Sequence, residues 1–455
     1  MNSENSTKQI INRGSLLKCL VCVCFVSAAH AVGSTPLSYM ALFVYLCIIT
    51  FAKTEDLLQL MLFFVPWSAV LKPTPYTVSF CSVAMLIAAV KLVLKPKLRF
   101  RTSNLIVWSL FACITVFAKL LHTYPFGTQY ILFLTMLMFF PIFLENYKDD
   151  ISFENAVVFY SFGIISATVI SLIFKENTNM EKFIRVIEQE SIGITRLSGF
   201  YPDPNFYAAQ ITTAIGLVLV LINKSTLSAF FSGVLTISLV LCGIITVSKS
   251  FMICLLSIVA IWLFCCLIER KGHSKIIGTI FLLTVCIAIL LVTGVVSELI
   301  DEYLIRFGMS NDARSFTTGR SEIWKRYLRY FAENPGELLI GKGFTSTLVG
   351  IWKGSPNTII QCLYQLGIFG TVIIIRSVHG TLYYLKKSKA GFGYSLLILV
   401  SCFSMWLGID VLFWDDFFLT ISLFIVGMCY VGDKNQNLKK IQNTDLQGRS
   451  NCLLG

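Results

Sequence analysis

The sequence carries little charge and has none of the short motifs that bind nucleotides. Charged side chains make up 14% of its 455 residues, whereas about a quarter of the residues of a soluble domain are charged. It contains no Walker loop, no GxGxxG segment after a strand and no internal repeat. These absences exclude a soluble globular domain and a repeat protein, and they argue against nucleotide-driven chemistry.

The sequence also lacks the residue patterns that are typical of metal sites and of disulfide frameworks. The histidines are scattered, with no carboxylate or cysteine at ligand spacing, so we predict no metal site; they are His30, His122, His273 and His379. Fourteen of the fifteen cysteines fall inside apolar runs or at their edges, where a reduced cysteine behaves as a small hydrophobe. We therefore expect no disulfide framework, no cofactor and no nucleic-acid partner.

Long apolar runs fill most of the chain instead. Hydrophobic residues make up 56% of the sequence, and the mean hydropathy is +0.75. A helix needs about 20 mostly apolar residues to span a hydrocarbon core of about 30 Å, where it satisfies its own backbone groups. We therefore predict an all-α polytopic membrane helical bundle with about 12 to 14 transmembrane helices. The runs are 15–33, 37–52, 57–71, 76–94, 103–121, 127–145, 152–174, 206–223, 226–246, 249–268, 275–296, 357–376, 392–409 and 414–431.

Basic residues set the expected orientation of the bundle. Short cytoplasmic loops carry an excess of lysine and arginine, and the segments KPKLRFR, RKGHSK and KKSK fall on one side if fourteen spans alternate. The two long polar loops then face outward. The predicted order is N-terminal transmembrane helices over 1–174, a first extracytoplasmic loop over 175–205, central transmembrane helices over 206–296, a second, partly amphipathic extracytoplasmic loop over 297–356, C-terminal transmembrane helices over 357–431 and a cytoplasmic tail over 432–455.

The first apolar run also has features of a signal peptide. Lys8, Arg13 and Lys18 lie before it or at its start, and small residues follow around His30, as at a cleavage site. Cleavage of this segment stays an alternative, and the rest of the predicted topology does not depend on it.

The two outward loops are rich in arginine. They hold seven of the thirteen arginines, namely Arg185, Arg196, Arg306, Arg314, Arg320, Arg326 and Arg329. The guanidinium group presents a fixed fork of donors that matches two phosphate oxygens at once, whereas lysine is a point charge. This preference indicates a phosphate-bearing lipid or substrate at the outer surface. Contact with anionic headgroups alone is the alternative.

The second loop contains an amphipathic segment, TTGRSEIWKRYLRYF, at residues 317–331. Its apolar residues recur at helical spacing while its basic residues occupy other positions. The pattern predicts a helix on the outer leaflet, with Trp324 at headgroup depth, or a loop helix that packs on the bundle. Both interpretations can hold together, and Asn334-Pro335-Gly336 is expected to end the helix.

Five short blocks between residues 196 and 370 carry a family resemblance. They are RLSG with DPNFYA (196–208), TVSKS (246–250), GRSEIW (319–324), GKGF (341–344) and PNTIIQCLYQLGIFG (356–370). In this order, on a polytopic chain, they resemble the O-antigen ligase and O-antigen polymerase superfamily.

The resemblance implies a helical membrane glycosyltransferase of the GT-C type. Such enzymes take a glycan from an undecaprenyl diphosphate carrier on the outer face of the bacterial cytoplasmic (inner) membrane and transfer it, without a metal, to a sugar hydroxyl. The implied partners are an undecaprenyl-diphosphate-linked oligosaccharide and membrane lipids, and assembly with a chain-length regulator is left open.

The resemblance also suggests the site residues. The candidate catalytic residues are Arg196, Arg320, Asp203 and Glu322, and the candidate substrate-binding residues are Asn205, Lys249, Trp324, Asn357 and Gln361. Arginine and lysine would stabilise the negative charge that grows on a diphosphate leaving group. The amides at 205, 357 and 361 would orient the loop or a sugar.

Two departures from the superfamily's pattern bear on the reaction. Lys249 stands in Ser-Lys-Ser where the superfamily usually has Ser-Arg-Gly, and Pro356 stands where ligases have a histidine before the asparagine. Without that histidine the general base is open among Asp203, Asp301 and Glu322.

We therefore predict a polymerase that joins lipid-linked repeat units of an O-antigen, capsule or exopolysaccharide. The first alternative is an O-antigen ligase that transfers the glycan to an acceptor such as lipid A core. The second is a flippase for lipid-linked oligosaccharides, which the scarcity of charge inside the spans disfavours.

Overall fold

The apolar runs of the sequence fold as helices in the computed structural model. The structure describes residues 11–74, 77–94, 102–122, 151–184, 186–189, 194–201, 203–224, 227–269, 295–308, 319–343, 354–387, 392–412 and 416–432. It also describes residue 278 and some residues between 133 and 146. The helices are α1 (Arg13–Ala31), α2 (Thr35–Phe51), α3 (Leu57–Phe64), α4 (Phe80–Val93), α5 (Thr102–Leu121), α6 (Phe153–Ile173), α7 (Pro204–Lys224), α8 (Ala229–Ile244), α9 (Lys249–Glu269), α10 (Val295–Gly308), α11 (Arg320–Glu333), α12 (Pro335–Ile340), α13 (Thr358–Lys387), α14 (Phe392–Phe403) and α15 (Asp416–Gly432).

Within the described ranges, five helices are long and apolar enough to cross a membrane: α1, α6, α7, α9 and the first part of α13. Shorter apolar helices accompany them, including α2, α4 and α15. The all-α polytopic membrane fold is therefore confirmed. The predicted spans 127–145 and 275–296 lie largely outside the described residues, as does the predicted tail after residue 432.

Serine residues start several of these helices. The hydroxyl groups of Ser34, Ser79, Ser152 and Ser228 accept hydrogen bonds from backbone N–H groups in the first turn of α2, α4, α6 and α8. A side-chain oxygen at this position satisfies a donor that the helix itself leaves open. The polar residue at each apolar boundary thus fixes where the helix begins.

Helix α7 forms the centre of the described bundle. Its apolar window is 94% buried, whereas that of α9 is only 28% buried. α7 packs against α6, α8, α9 and α14, so it is apolar all round because protein surrounds it. α9 has one face on the bundle and a wide apolar face for lipid.

The first long loop is more ordered than the sequence indicated. It contains an antiparallel hairpin of β1 (Val186–Gln189) and β2 (Ile194–Leu197), with Ile187 opposite Arg196. The Asn179 amide donates to the Ala31 carbonyl at 3.1 Å, and the Phe183 ring lies 4.5 Å from the His30 ring. The loop is therefore fastened to the end of α1, and we call this end of the bundle the loop end.

The second long loop is helical in its described parts, α10, α11 and α12. The predicted amphipathic helix is confirmed as α11, and Asn334 ends it before Pro335 begins α12. Tyr327 of α11 is buried, with its ring 5.1 Å from that of Tyr364 in α13. The apolar face of α11 thus packs on the bundle, while Leu328 and the basic residues around it are exposed.

Candidate functional site

Arg196 ends the hairpin of the first loop and points into the loop end of the bundle. Its side chain is buried, with 7% of its surface exposed. The Nε group donates to the Thr246 carbonyl at 3.2 Å, and the Nη2 group donates to Asn205 Oδ1 at 3.4 Å. The Leu197 N–H also donates to the Ile245 carbonyl at 3.4 Å. Backbone and side-chain bonds thus tie the hairpin to the turn between α8 and α9.

The segment Asp203-Pro204-Asn205 forms a hook at the start of α7. Asp203 Oδ1 accepts from the Asn205 backbone N–H at 2.7 Å and from its side-chain amide at 2.6 Å. Aspartate before the first turn with proline as the first helical residue is a favoured helix start. Asn205 Oδ1 then accepts from Arg196 and, at 2.8 Å, from the Ser248 hydroxyl.

The turn between α8 and α9 has an unusual backbone at Val247. This residue has a φ of 45° and is fully buried, although β-branched residues rarely adopt the left-handed region and are strained there. Tyr303 of α10 packs against Val247 and donates through its hydroxyl to the Ile244 carbonyl at 3.2 Å. The turn that presents Thr246 and Ser248 to the hook is thus held from the second loop.

Arg320 reaches the same place from the second loop. Burial lowers the pKa of its guanidinium group, and the carboxylate of Asp203 acts in the opposite direction. A methyl group built on Gly408 would lie 2.9 Å from Arg320 Nη1 and 3.7 Å from the Ser250 hydroxyl. The guanidinium group therefore lies between the start of α9 and the segment that follows α14.

Two arginines from separate loops thus converge on one hook. Arg196 contacts it through Asn205, and Arg320 interacts with Asp203. Hydrogen bonds restrain the Arg196 side chain, whereas the Arg320 guanidinium group lies beside Gly408 and near the Asp203 carboxylate. The donor fork of a guanidinium group matches the oxygens of anions such as diphosphates.

Asp410 is a carboxylate that the sequence analysis missed. Burial raises its pKa from 3.8 to about 7, although the Leu412 N–H donates to it at 3.1 Å. It lies two residues after Gly408, which borders Arg320. The sequence places Asp410 in a short loop between two apolar runs, and this position could have marked it as a candidate site residue. The burial that shifts its pKa is a tertiary effect and had no signal in the sequence.

Asn357 and Gln361 are engaged in bonds that shape the start of α13. Asn357 Oδ1 accepts from two backbone N–H groups of the first turn, at 3.0 and 3.1 Å, and its Nδ2 group donates to the Leu407 carbonyl at 3.1 Å. Gln361 Oε1 accepts from the Ser355 N–H at 3.1 Å. Pro356 precedes the residue that caps the helix. These bonds bring the segment from 355 to 361 against the segment that holds Asp410.

Lys249 and Trp324 lie at the border of the site. Lys249 begins α9, and its Nζ atom is 5.6 Å from the centre of the Phe307 ring in α10. Trp324 is half-buried one turn after Arg320, on the same face of α11. Its indole Nε1 group is buried and has no hydrogen-bond partner within the described ranges.

Glu322 and Asp301 are the other acidic candidates. Glu322 pairs with Lys325 at 3.2 Å on the exposed side of α11, and Asp301 is exposed on α10. In the part of the chain that the structure describes, no three histidine, cysteine or acidic side chains are grouped so that they could hold a metal ion.

Comparison with known proteins locates a family domain around this site. Residues 233–375 match the family described as O-Antigen ligase. No curated protein matches the chain. The matched range contains Lys249 and Arg320, while Arg196 precedes it and Asp410 follows it. The chain is therefore a multi-pass helical membrane protein in which residues 233–375 are similar to the O-antigen ligase family, and this match supports the predicted resemblance to the O-antigen ligase and polymerase superfamily.

Proposed function

We propose that the protein is a glycosyltransferase of the bacterial cytoplasmic membrane that moves a glycan from a polyprenyl diphosphate carrier to a sugar hydroxyl at the outer face. The observation that carries this proposal is the convergence of Arg196 and Arg320 on the hook of Asp203 and Asn205. The family match supports a ligase or polymerase type of reaction and gives no support to the flippase alternative.

The two arginines would hold the diphosphate of the donor. When the bond between the sugar C1 and the diphosphate oxygen breaks, negative charge grows on that oxygen, and fixed cationic donors stabilise it. A hydrogen bond to a charged group contributes about 1.5 to 3 kcal/mol net, and about 1.4 kcal/mol of barrier is a tenfold rate. If Arg196 and Arg320 each gain one such bond in the transition state, together they supply on the order of 10² to 10⁴ in rate.

Asp410 is our candidate for the general base. A carboxyl group with a pKa of about 7 is substantially ionised at neutral pH and still basic enough to accept a proton. Asp203 is less suited, since its oxygen accepts two hydrogen bonds from Asn205 and faces Arg320. In the proposed step the acceptor hydroxyl attacks C1, its proton passes to Asp410, and the carrier diphosphate leaves.

The acceptor is expected to be the sugar of another lipid-linked repeat unit, so that the enzyme acts as a polymerase. This proposal depends on Pro356, which occupies the position where ligases of the superfamily have histidine. Proline has no side-chain group that can exchange a proton. A base on another segment, as proposed for Asp410, would replace that histidine.

The test uses purified protein in liposomes with the lipid-linked repeat unit and no other acceptor. Growth of a ladder of repeat units on the carrier lipid is the expected result. Transfer that occurs only after lipid A core is added would identify a ligase. Movement of the lipid-linked unit across the bilayer without any transfer would identify a flippase and overturn the proposal.

A further inference from the structure

Gln365 of α13 is a buried amide with no hydrogen-bond partner in the described part of the chain. None of its surface is exposed, and both side-chain polar atoms are unpaired. The hydroxyl group of Ser355 is also fully buried and unpaired within the described residues. Buried polar groups are nearly always hydrogen-bonded in folded proteins, so two unpaired groups on one segment need a partner from outside the protein chain, such as water or a ligand.

These two groups lie on one side of the outer half of α13. Gln361 and Gln365 are four residues apart and therefore share a helix face. The Ser355 N–H donates to Gln361 Oε1 at 3.1 Å, which places Ser355 beside the same face. We call these three residues the Ser355–Gln361–Gln365 column.

The column adjoins the segment that holds Asp410. Thr358, on the same turn of α13, donates through its hydroxyl to the Ile409 carbonyl at 2.7 Å and accepts from the Val411 N–H at 3.2 Å. Cys362, one turn further, lies close enough to Asp410 to interact electrostatically. The column is therefore next to the group that we propose as the base.

A glycine segment packs against the backbone of α13 beside Gln365. α13 breaks at Gly367, where φ is 66° and ψ is −177°. The Lys342 N–H donates to the Tyr364 carbonyl at 2.8 Å, and the Gly343 N–H donates to the Gln365 carbonyl at 3.1 Å. A methyl group on Gly341 would lie 2.5 Å from that same Gln365 carbonyl oxygen. Only glycine permits this contact, and two backbone hydrogen bonds hold the segment in place.

We propose that the Ser355–Gln361–Gln365 column binds the hydroxyl groups of an uncharged acceptor sugar. The inference rests on the proposed function and assigns its acceptor subsite. Amides and hydroxyls both donate and accept hydrogen bonds, as sugar hydroxyls do. All three members of the column are uncharged, so they suit a sugar rather than the diphosphate that the arginines attract.

The test compares Gln365→Leu with a matched buried glutamine in reconstituted full-length protein. Leucine has a similar volume but no amide, so we expect an unchanged or higher melting temperature, because an unpaired polar group is removed. With the lipid-linked unit as donor and a lipid-free repeat-unit oligosaccharide as the varied acceptor, the acceptor KM should rise about tenfold for one lost hydrogen bond, while the donor KM stays unchanged. The control is Gln59→Leu, since Gln59 is also buried but donates to Asp56 Oδ1 at 2.8 Å. It should lower the melting temperature and leave the acceptor KM unchanged.

Two results would overturn the inference. One is an acceptor KM that does not change in Gln365→Leu, whatever its melting temperature. The other is a fall in melting temperature as large as that of Gln59→Leu, which would show that the amide has a structural partner or a bound water. If the wild-type protein transfers no glycan, the proposed function fails by itself. Thermal-shift binding of the lipid-free repeat-unit oligosaccharide, which lacks the diphosphate, to wild type and Gln365→Leu would then still decide the inference.

Discussion

The contact between Gly408 and Arg320 offers a direct test of the donor site. In Gly408→Ala the new methyl group would lie 2.9 Å from Arg320 Nη1, so this atom would have to retreat about half an ångström to reach ordinary packing at 3.4 Å. The end of an arginine side chain is flexible, and Gly408 has a φ of −115°, which alanine adopts without strain. The substitution should therefore displace the guanidinium group with little effect on the free energy of unfolding.

A displacement of this size is large for a guanidinium group that must stabilise the negative charge developing on the diphosphate in the transition state. Misplacement of about 1 Å in an active site can cost about 10² in rate, so we expect kcat/KM for transfer to fall about tenfold or more in Gly408→Ala. The assay is polymer formation from the lipid-linked repeat unit, with expression and melting temperature measured in parallel. Gly336→Ala is the matched control, because no atom lies within 4 Å of the added methyl group.

The reasoning would be refuted by a Gly408→Ala variant with wild-type kcat/KM. It would also be refuted by a loss of activity that only follows a loss of folded protein. In the first case Arg320 does not act from the position beside Gly408. In the second case the glycine serves packing alone.

The remaining predictions concern charge and topology. Arg320→Lys should lose far more transfer activity than Arg329→Lys, because lysine cannot replace the fork of a guanidinium group at a diphosphate, and Arg329 is exposed on α11. Asp410→Asn should abolish transfer, and wild-type activity should rise with pH around a midpoint near 7. The pKa of Asp410 is higher in the folded protein than its ordinary value of 3.8, so its ionisation destabilises the fold as pH rises from about 4 to 7. The variant should therefore have a higher melting temperature than wild type at about pH 8 and a similar one at about pH 4. A cysteine at Lys182, in a cysteine-free background, should react with an impermeant reagent from outside, whereas one at Lys53 should react only after permeabilisation.

Each of these predictions has a clear contrary result. Equal activity of the two arginine variants at equal expression would remove Arg320 from the donor site. Residual transfer in Asp410→Asn with an unchanged pH profile would show that another group accepts the proton. Labelling of Lys182→Cys that requires permeabilisation would reverse the predicted orientation of the bundle.

Apolar runs and their polar boundaries were sufficient to predict most of the helices. The run at 206–223 became α7, and the run at 249–268 became α9, because span length and end-capping residues are local properties. The run at 57–71 gave only the eight-residue α3 followed by a 3₁₀ turn at Val65–Trp67. Proline at position 66 stands in this turn, and α3 is buried in protein rather than exposed to lipid.

Features that depend on distant contacts were not predictable in the same way. The burial that raises the pKa of Asp410 depends on how the segment after α14 packs, which the sequence does not display. The break in α13 at Gly367 depends on the approach of the Leu339 carbonyl, which would lie 2.4 Å from a methyl group there. By contrast, the pairing of Glu322 with Lys325 was readable, since residues three apart on a helix are neighbours.

The hook at Asp203 affects how mutational data on this protein should be interpreted. One carboxylate oxygen caps α7 and holds the Asn205 side chain, and the same carboxylate lies near Arg320. A scan scored only by loss of polysaccharide would rank Asp203 with the most sensitive positions and would suggest a proton-transfer residue. The structure predicts that Asp203 is sensitive to substitution without any role in proton transfer. One substitution there would disturb the start of α7, the Asn205 side chain and the surroundings of Arg320 together.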